Sequence, residues 1–72
     1  MVYFELIEVL PDGMGWVYAY YPENDRTKPG IIGICHGERF IEKLSEADVG
    51  TMYAGQCFPH LNGAPHGMAA WF

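Results

Sequence analysis

The shortness of the chain limits its fold more than any other feature of the sequence. Its 72 residues can form only one domain, covering residues 1–72, and so small a domain hides a smaller share of its surface than a large one. Below about 70–80 residues a single core seldom supplies more than about 3–5 kcal/mol, so such chains often recruit a metal, a disulfide or a second subunit. A deep, enclosed active site is therefore not expected.

Aromatic residues make up 15% of the chain, and hydrophobic residues make up half of it. This composition is far too apolar for intrinsic disorder. So small a globule has little interior for eleven aromatic side chains, and several of them are expected to be partly exposed, as on surfaces that bind a partner. The sequence therefore predicts a homo-oligomer, with a protein partner as a second possibility.

The formal net charge of −5 argues against polyanionic partners. Binding to a phosphate backbone requires several clustered cations, whereas the four basic residues here are spread thinly among acids. These residues are Arg26, Lys28, Arg39 and Lys43. Neither nucleic acid nor an anionic membrane is expected as a partner.

The N-terminal segment does not have the pattern of a signal peptide. It has no basic region, and Glu5 and Glu8 interrupt its apolar stretch. No apolar run approaches the roughly 20 residues that a membrane-spanning helix requires. Two cysteines cannot build a disulfide-rich secreted scaffold, so we expect a cytoplasmic protein with reduced thiols.

The first half of the sequence predicts a β-hairpin. Residues 2–10 are rich in β-branched and aromatic residues, which favours a central strand. Residues 11–15 supply a Pro, an Asp-Gly pair and a second Gly, which are typical of a hairpin loop. Residues 16–21 should return antiparallel, with Trp16, Tyr18 and Tyr20 on one face, and polar residues 22–30 should form a solvated connection.

Two more strands and one helix are predicted downstream. Residues 31–35 and 39–44 form strands around a tight turn, and alternating charge places the second at a sheet edge. Ser45, followed by acids, is typical of a helix N-cap, and Pro59 should end or kink the helix. The predicted buried stripe consists of Val49, Met52, Tyr53, Gln56 and Cys57, with Phe58 beside it. Gly50 and Gly55 are expected where the helix closely approaches the sheet.

Together these elements predict an α+β fold, with a small antiparallel sheet of about four strands and one helix from the C-terminal half packed on one face. The aromatic end of the chain, residues 68–72, should be ordered. It should pack either against the sheet or against another chain.

Three segments carry a resemblance to other proteins. They are YPEN at 21–24, KPGII at 28–32 and DVGTMYAG at 48–55. They resemble short, functionally uncharacterised bacterial proteins with a Lys-Pro-Gly strand entry and a Tyr-Ala-Gly helix. The resemblance implies the hairpin-plus-helix arrangement and implies no activity.

The cysteines and histidines offer an alternative to a fold that is stabilised by apolar packing alone: they could form a metal site or a reactive thiol. Cys57 and His60 are three positions apart, which suits zinc, and a tetrahedral set of Cys35, Cys57, His60 and His66 can be written down. No CxxC pair anchors this set, and two small buried thiols with surface histidines explain the residues equally well. A nucleophilic Cys57–His60 or Cys57–His36 pair would need an exposed thiolate, whereas Cys57 lies on the predicted buried stripe.

The leading functional hypothesis is a non-enzymatic interaction module without a cofactor, which self-associates or docks to a protein partner through exposed aromatic surface. The candidate partner-binding residues are Trp16, Tyr18, Tyr20, Trp71 and Phe72. The alternative is a small zinc-stabilised or Cys/His-dependent catalytic domain. The sequence itself identifies no catalytic residue.

Overall fold

A computed structural model of the chain describes residues 1–69. Within that range the chain forms five strands and one short α-helix, so the α+β class is confirmed and the strand count of four is wrong. The elements are β1 (Val2–Val9), β2 (Gly15–Pro22), β3 (Gly30–Cys35), β4 (Glu38–Lys43), α1 (Met52–Cys57) and β5 (His66–Ala69). Short 3-10 turns occupy Pro11–Gly13 and Phe58–His60. Trp71 and Phe72 lie outside the described residues.

The strands form one antiparallel sheet in the order β4-β3-β2-β1-β5. The predicted central position of β1 is confirmed, because β1 pairs with β2 on one side and β5 on the other. The predicted edge position of β4 is confirmed too. The additional strand β5 lies antiparallel to β1, with Ala69 opposite Val2 and His66 opposite Glu5.

The predicted turn between β1 and β2 is present. Asp12 and Gly13 have φ values of 57° and 69°, in the left-handed region that Gly and Asp tolerate best. The amide of Leu10 donates to the carbonyl of Gly15 at 2.9 Å and closes the loop. The amide of His36 also donates to the carbonyl of Met14 at 2.8 Å, which ties this loop to the turn between β3 and β4.

The two faces of the sheet have different neighbours. One face, called here the covered face, packs against α1 and the residues that follow it. Its core consists of Val2, Phe4, Tyr18, Tyr20, Ile32, Ala54, Cys57, Phe58, Leu61 and Ala69. Side chains alternate along a strand, so residues such as Tyr3, Val17 and Ile31 point to the opposite face.

The helix begins later than the sequence predicts. It starts at Met52, and Ser45 does not cap it. Ser45 is instead fixed to the sheet: its Oγ donates to the carbonyl of Lys28 at 2.6 Å and accepts the amide of Ala47 at 3.2 Å. Such local side-chain bonds offer the backbone an alternative to the helix, so residues 45–48 form a turn.

The predicted buried stripe is wrong at its start. Val49 and Met52 are 75% and 53% exposed, and the helix buries Ala54 and Cys57. The expected close approach of Gly55 to the sheet is also absent, because a Cβ at this position would meet no atom within 4 Å. The same holds for Gly50, which precedes the helix with a φ of 64°. The late start shifts the helix face that contacts the sheet.

No helix within residues 1–69 is long and apolar enough to cross a membrane.

Candidate functional site

Tyr18 and Tyr20, predicted to bind a partner, are fully buried in the core. The Tyr18 hydroxyl donates to the carbonyl of Ala64 at 2.8 Å and accepts the amide of Gly63 at 2.9 Å. A tyrosine ring can be buried at little cost when its hydroxyl finds such partners. The expectation that these two rings form exposed surface is therefore wrong. Trp16 is half-buried beside Gly63, and the predictions for Trp71 and Phe72 fall outside the described residues.

The four candidate zinc ligands are divided between the two faces of the sheet. Cys57 lies in the core, and His60 stacks on Phe4 with ring centroids 6.1 Å apart, both on the covered face. His66 stacks on Tyr3 on the opposite face, at 6.3 Å. Cys35 follows Ile34, a neighbour of the core, and so also points to the opposite face. Within residues 1–69 no group of three or more His, Cys, Asp or Glu could hold a metal ion.

The environment of Cys57 disfavours its thiolate. Burial, and secondarily the charge of Asp48, raise the pKa of the Cys57 thiol to about 12. The thiol is therefore protonated near neutral pH, and a protonated thiol is a poor nucleophile. This environment suits a packing role better than catalysis.

Alkylation should distinguish the two free cysteines. We expect iodoacetamide to modify half-buried Cys35 faster than Cys57 under native conditions, because Cys57 is buried and its thiol is protonated. Mass spectrometry of Cys35→Ala and Cys57→Ala variants would give each rate separately. Both thiols should react at similar rates in urea. Labelling of native Cys57 as fast as in urea would contradict the prediction.

Asp48 organises a buried polar network that the sequence did not reveal. Its Oδ2 accepts the Tyr20 hydroxyl at 2.7 Å and the Ala54 amide at 3.0 Å, and its Oδ1 accepts the Tyr53 amide at 3.0 Å. Tyr20 in turn accepts the amide of Ser45 at 3.0 Å. Burial raises the pKa of Tyr20. The network joins β2 to the start of α1, and its polar atoms are mutually satisfied, so we assign it a structural role.

The face opposite α1 is the candidate interaction surface, called here the open face. Helix α1 and residues 58–61 contribute to the core on the other side of the sheet. The apolar members of the open face are Tyr3, Val17, Tyr21, Ile31, Phe40 and Met68. The Phe40 ring lies over Gly33, where a Cβ would come within 2.6 Å of it. Val17 is buried, Tyr3, Tyr21, Ile31 and Phe40 are half-buried, and Met68 is exposed.

One end of the open face carries a stacked arginine. The guanidinium carbon of Arg26 lies 4.0 Å from the Tyr3 ring centroid and 4.8 Å from that of Tyr21. Arg26 Nε donates to Asn24 Oδ1 at 3.1 Å, and Nη1 lies 3.7 Å from a Glu5 carboxylate oxygen. We call Tyr3, Tyr21 and Arg26 the arginine stack. Stacking restrains a long side chain before any partner arrives, and Tyr and Arg are enriched at binding hot spots.

The sequence does not predict the arginine stack, because the polar composition of residues 22–30 indicates a solvated connection. The signal that could have revealed it is the hairpin register, which places Tyr3 opposite Tyr21. The loop that follows β2 then returns Arg26 over both rings.

No family model, curated protein or solved structure matches this chain. The resemblance to short bacterial proteins therefore stays a prediction, and function has to be argued from the open face itself.

Proposed function

We propose that the chain is a small, non-enzymatic protein-interaction module that binds a protein through its open face. The observation that carries this proposal is the partly exposed apolar surface of the open face, formed by Tyr3, Tyr21, Ile31 and Phe40, with the arginine stack at one end. The predicted role is kept, and the residues assigned to it change, because Tyr18 and Tyr20 belong to the core.

The composition of the open face supports this proposal. Protein interfaces are enriched in Tyr, Phe, Met and Arg at the centre, and their rims are polar. On the open face Val17 and Ile31 occupy the middle strands, next to Phe40 on β4. Charged residues such as Glu38 and Lys43 lie towards the ends of the strands. This arrangement is typical of a patch that is partly desolvated when a partner binds.

The enzymatic alternative has weaker support. The thiol of Cys57 is protonated, and the carboxylate of Asp48 accepts three hydrogen bonds inside the fold. A general base or nucleophile must be able to reach a substrate, and these two groups are buried. We place the module in the cytoplasm, where the two free thiols, Cys35 and Cys57, would stay reduced.

Site-specific photo-crosslinking in cells would test the proposed function. A benzophenone amino acid at Met68, which is 48% exposed on the open face, is expected to yield a protein adduct. The matched control is the same probe at Val49, which is 75% exposed just before α1. No adduct from Met68, or equal adducts from both positions, would contradict the proposal. Mass spectrometry of the adduct identifies the partner.

A further inference from the structure

We infer that the partner is a second copy of this chain, packed open face to open face about a two-fold axis that runs across the strands. This inference rests on the proposed function of the open face. It specifies both the partner and its orientation. It rests on three observations: the distribution of charge on the open face, the sequence of the β4 edge and the size of the open face.

Charge is separated along the strands of the open face. Glu8 lies opposite Val17, and Glu38 lies opposite Cys35, so both acids share the face of these residues near the β1–β2 hairpin. The cations lie towards the other end of the strands. Lys43 is opposite Ile31, and Arg26 stacks on Tyr3. Glu5, opposite Ala19, also lies on this face, and its carboxylate is 3.7 Å from Arg26 Nη1. One end of the face is therefore acidic, and the other end carries Lys43 and the Arg26–Glu5 pair.

This polarity selects one of two symmetric packings. If the two-fold axis ran along the strands, like ends of the two copies would meet. If the axis runs across the strands, the acidic end of each copy lies over the basic end of the other. Glu8 and Glu38 can then approach Arg26 and Lys43 of the second copy, and symmetry makes each contact twice. With the axis across the strands, the open face of this acidic protein is electrostatically complementary to itself.

The β4 edge is a poor alternative site for a second copy. The ladder with β3 skips Glu42, so Lys43 lies on the open face while Arg39 and Ile41 lie on the covered face. Regular pairing along this edge is therefore limited to residues 38–41, and charged side chains occupy half of these positions.

The size of the molecule limits the area that such a contact can bury. The protomer measures 32 × 21 × 19 Å, so even a complete face offers at most roughly 700 Å². A standard interface buries about 800 Å² per partner. A dimer through the open face would therefore be at or below standard size, and we expect reversible association in the micromolar range.

Sedimentation velocity of the full chain across the micromolar range tests the inference. We expect a reversible monomer–dimer equilibrium. Reversing one end, with Glu8→Lys plus Glu38→Lys or with Lys43→Glu alone, should weaken the dimer at least about tenfold, because like charges then face each other. Combining Glu8→Lys and Glu38→Lys with Lys43→Glu, which keeps Arg26 and its stack, should restore part of the association. Glu46→Lys, on an exposed turn before α1, is the matched control and should leave the dimer unchanged.

Sedimentation and crosslinking together distinguish the second-copy inference from the proposed function of the open face. A monomer at every concentration overturns the second-copy inference, and a dimer that all reversals leave unchanged overturns the packing. If Met68 crosslinks only to a different protein, the proposed function stands and the second copy is excluded. If no adduct forms and the chain is a monomer, both proposals fail. Circular dichroism melting of each variant ensures that lost association is not lost folding.

Discussion

Replacing Asp48 with alanine is expected to leave most of the chain unfolded at room temperature. Asp48 is 6% exposed and accepts hydrogen bonds from the Tyr20 hydroxyl and from the amides of Tyr53 and Ala54. Its loss leaves these donors without their acceptor, and each unsatisfied buried group costs about 1–3 kcal/mol. A core of this size supplies only about 3–5 kcal/mol in total. The loss is therefore comparable with the whole stability of the domain.

Urea denaturation followed by circular dichroism measures this effect. Asp48→Asn keeps one carbonyl acceptor and should fall between wild type and Asp48→Ala. Glu46→Ala removes an exposed acid two residues away and should change the free energy of unfolding by less than about 0.5 kcal/mol. If Asp48→Ala unfolds at the same urea concentration as Glu46→Ala, the network does not carry the stability assigned to it.

The strands were predictable because their signals are local. Alternating side chains and turn residues defined β1 to β4, with ends that differ from the structure by at most one residue. The charges of β4 indicated an edge, and the Asp12-Gly13 turn set the first hairpin. Each of these inferences uses residues that are neighbours in sequence.

The start of the helix was not predictable from the same kind of signal. Ser45 is a good local N-cap, but its partner is the carbonyl of Lys28, 17 residues earlier. The amides at the start of α1 are satisfied by Asp48, whose position depends on Tyr20 from β2. Contacts between distant segments outweigh local helix propensity here, and no short-range pattern in the sequence reveals such contacts.

The sequence did not predict the residues of the candidate surface. A core this small is expected to leave aromatic rings exposed, but Tyr18 and Tyr20 find buried hydroxyl partners in Ala64 and Asp48. The arginine stack depends on the register that places Tyr3 opposite Tyr21. Strand β5 was missed because it has four residues and contains Gly67, whose missing Cβ makes room for the Phe4 ring.

Gly15→Ala is expected to destabilise the protein by more than about 3 kcal/mol. Gly15 has a φ of 155°, and a Cβ there would lie 1.8 Å from the carbonyl oxygen of Ile34. That oxygen belongs to the backbone of β3, so no side-chain rotation can relieve the contact. β2 and β3 would have to separate at the end of the strand pair where Gly15 lies opposite Cys35. Overpacking against backbone usually costs about 1–3 kcal/mol, and the unfavourable φ adds further strain.

Gly55→Ala is the matched control, because it makes the same chemical change where there is space. Gly55 lies exposed within α1, and an added Cβ would meet no atom within 4 Å. Alanine should stabilise the helix by about 0.4–1 kcal/mol through lower backbone freedom in the unfolded chain. Thermal and urea unfolding of the two variants should therefore shift in opposite directions. A Gly15→Ala protein that unfolds no earlier than wild type would show that β2 and β3 are not packed as closely as Gly15 requires.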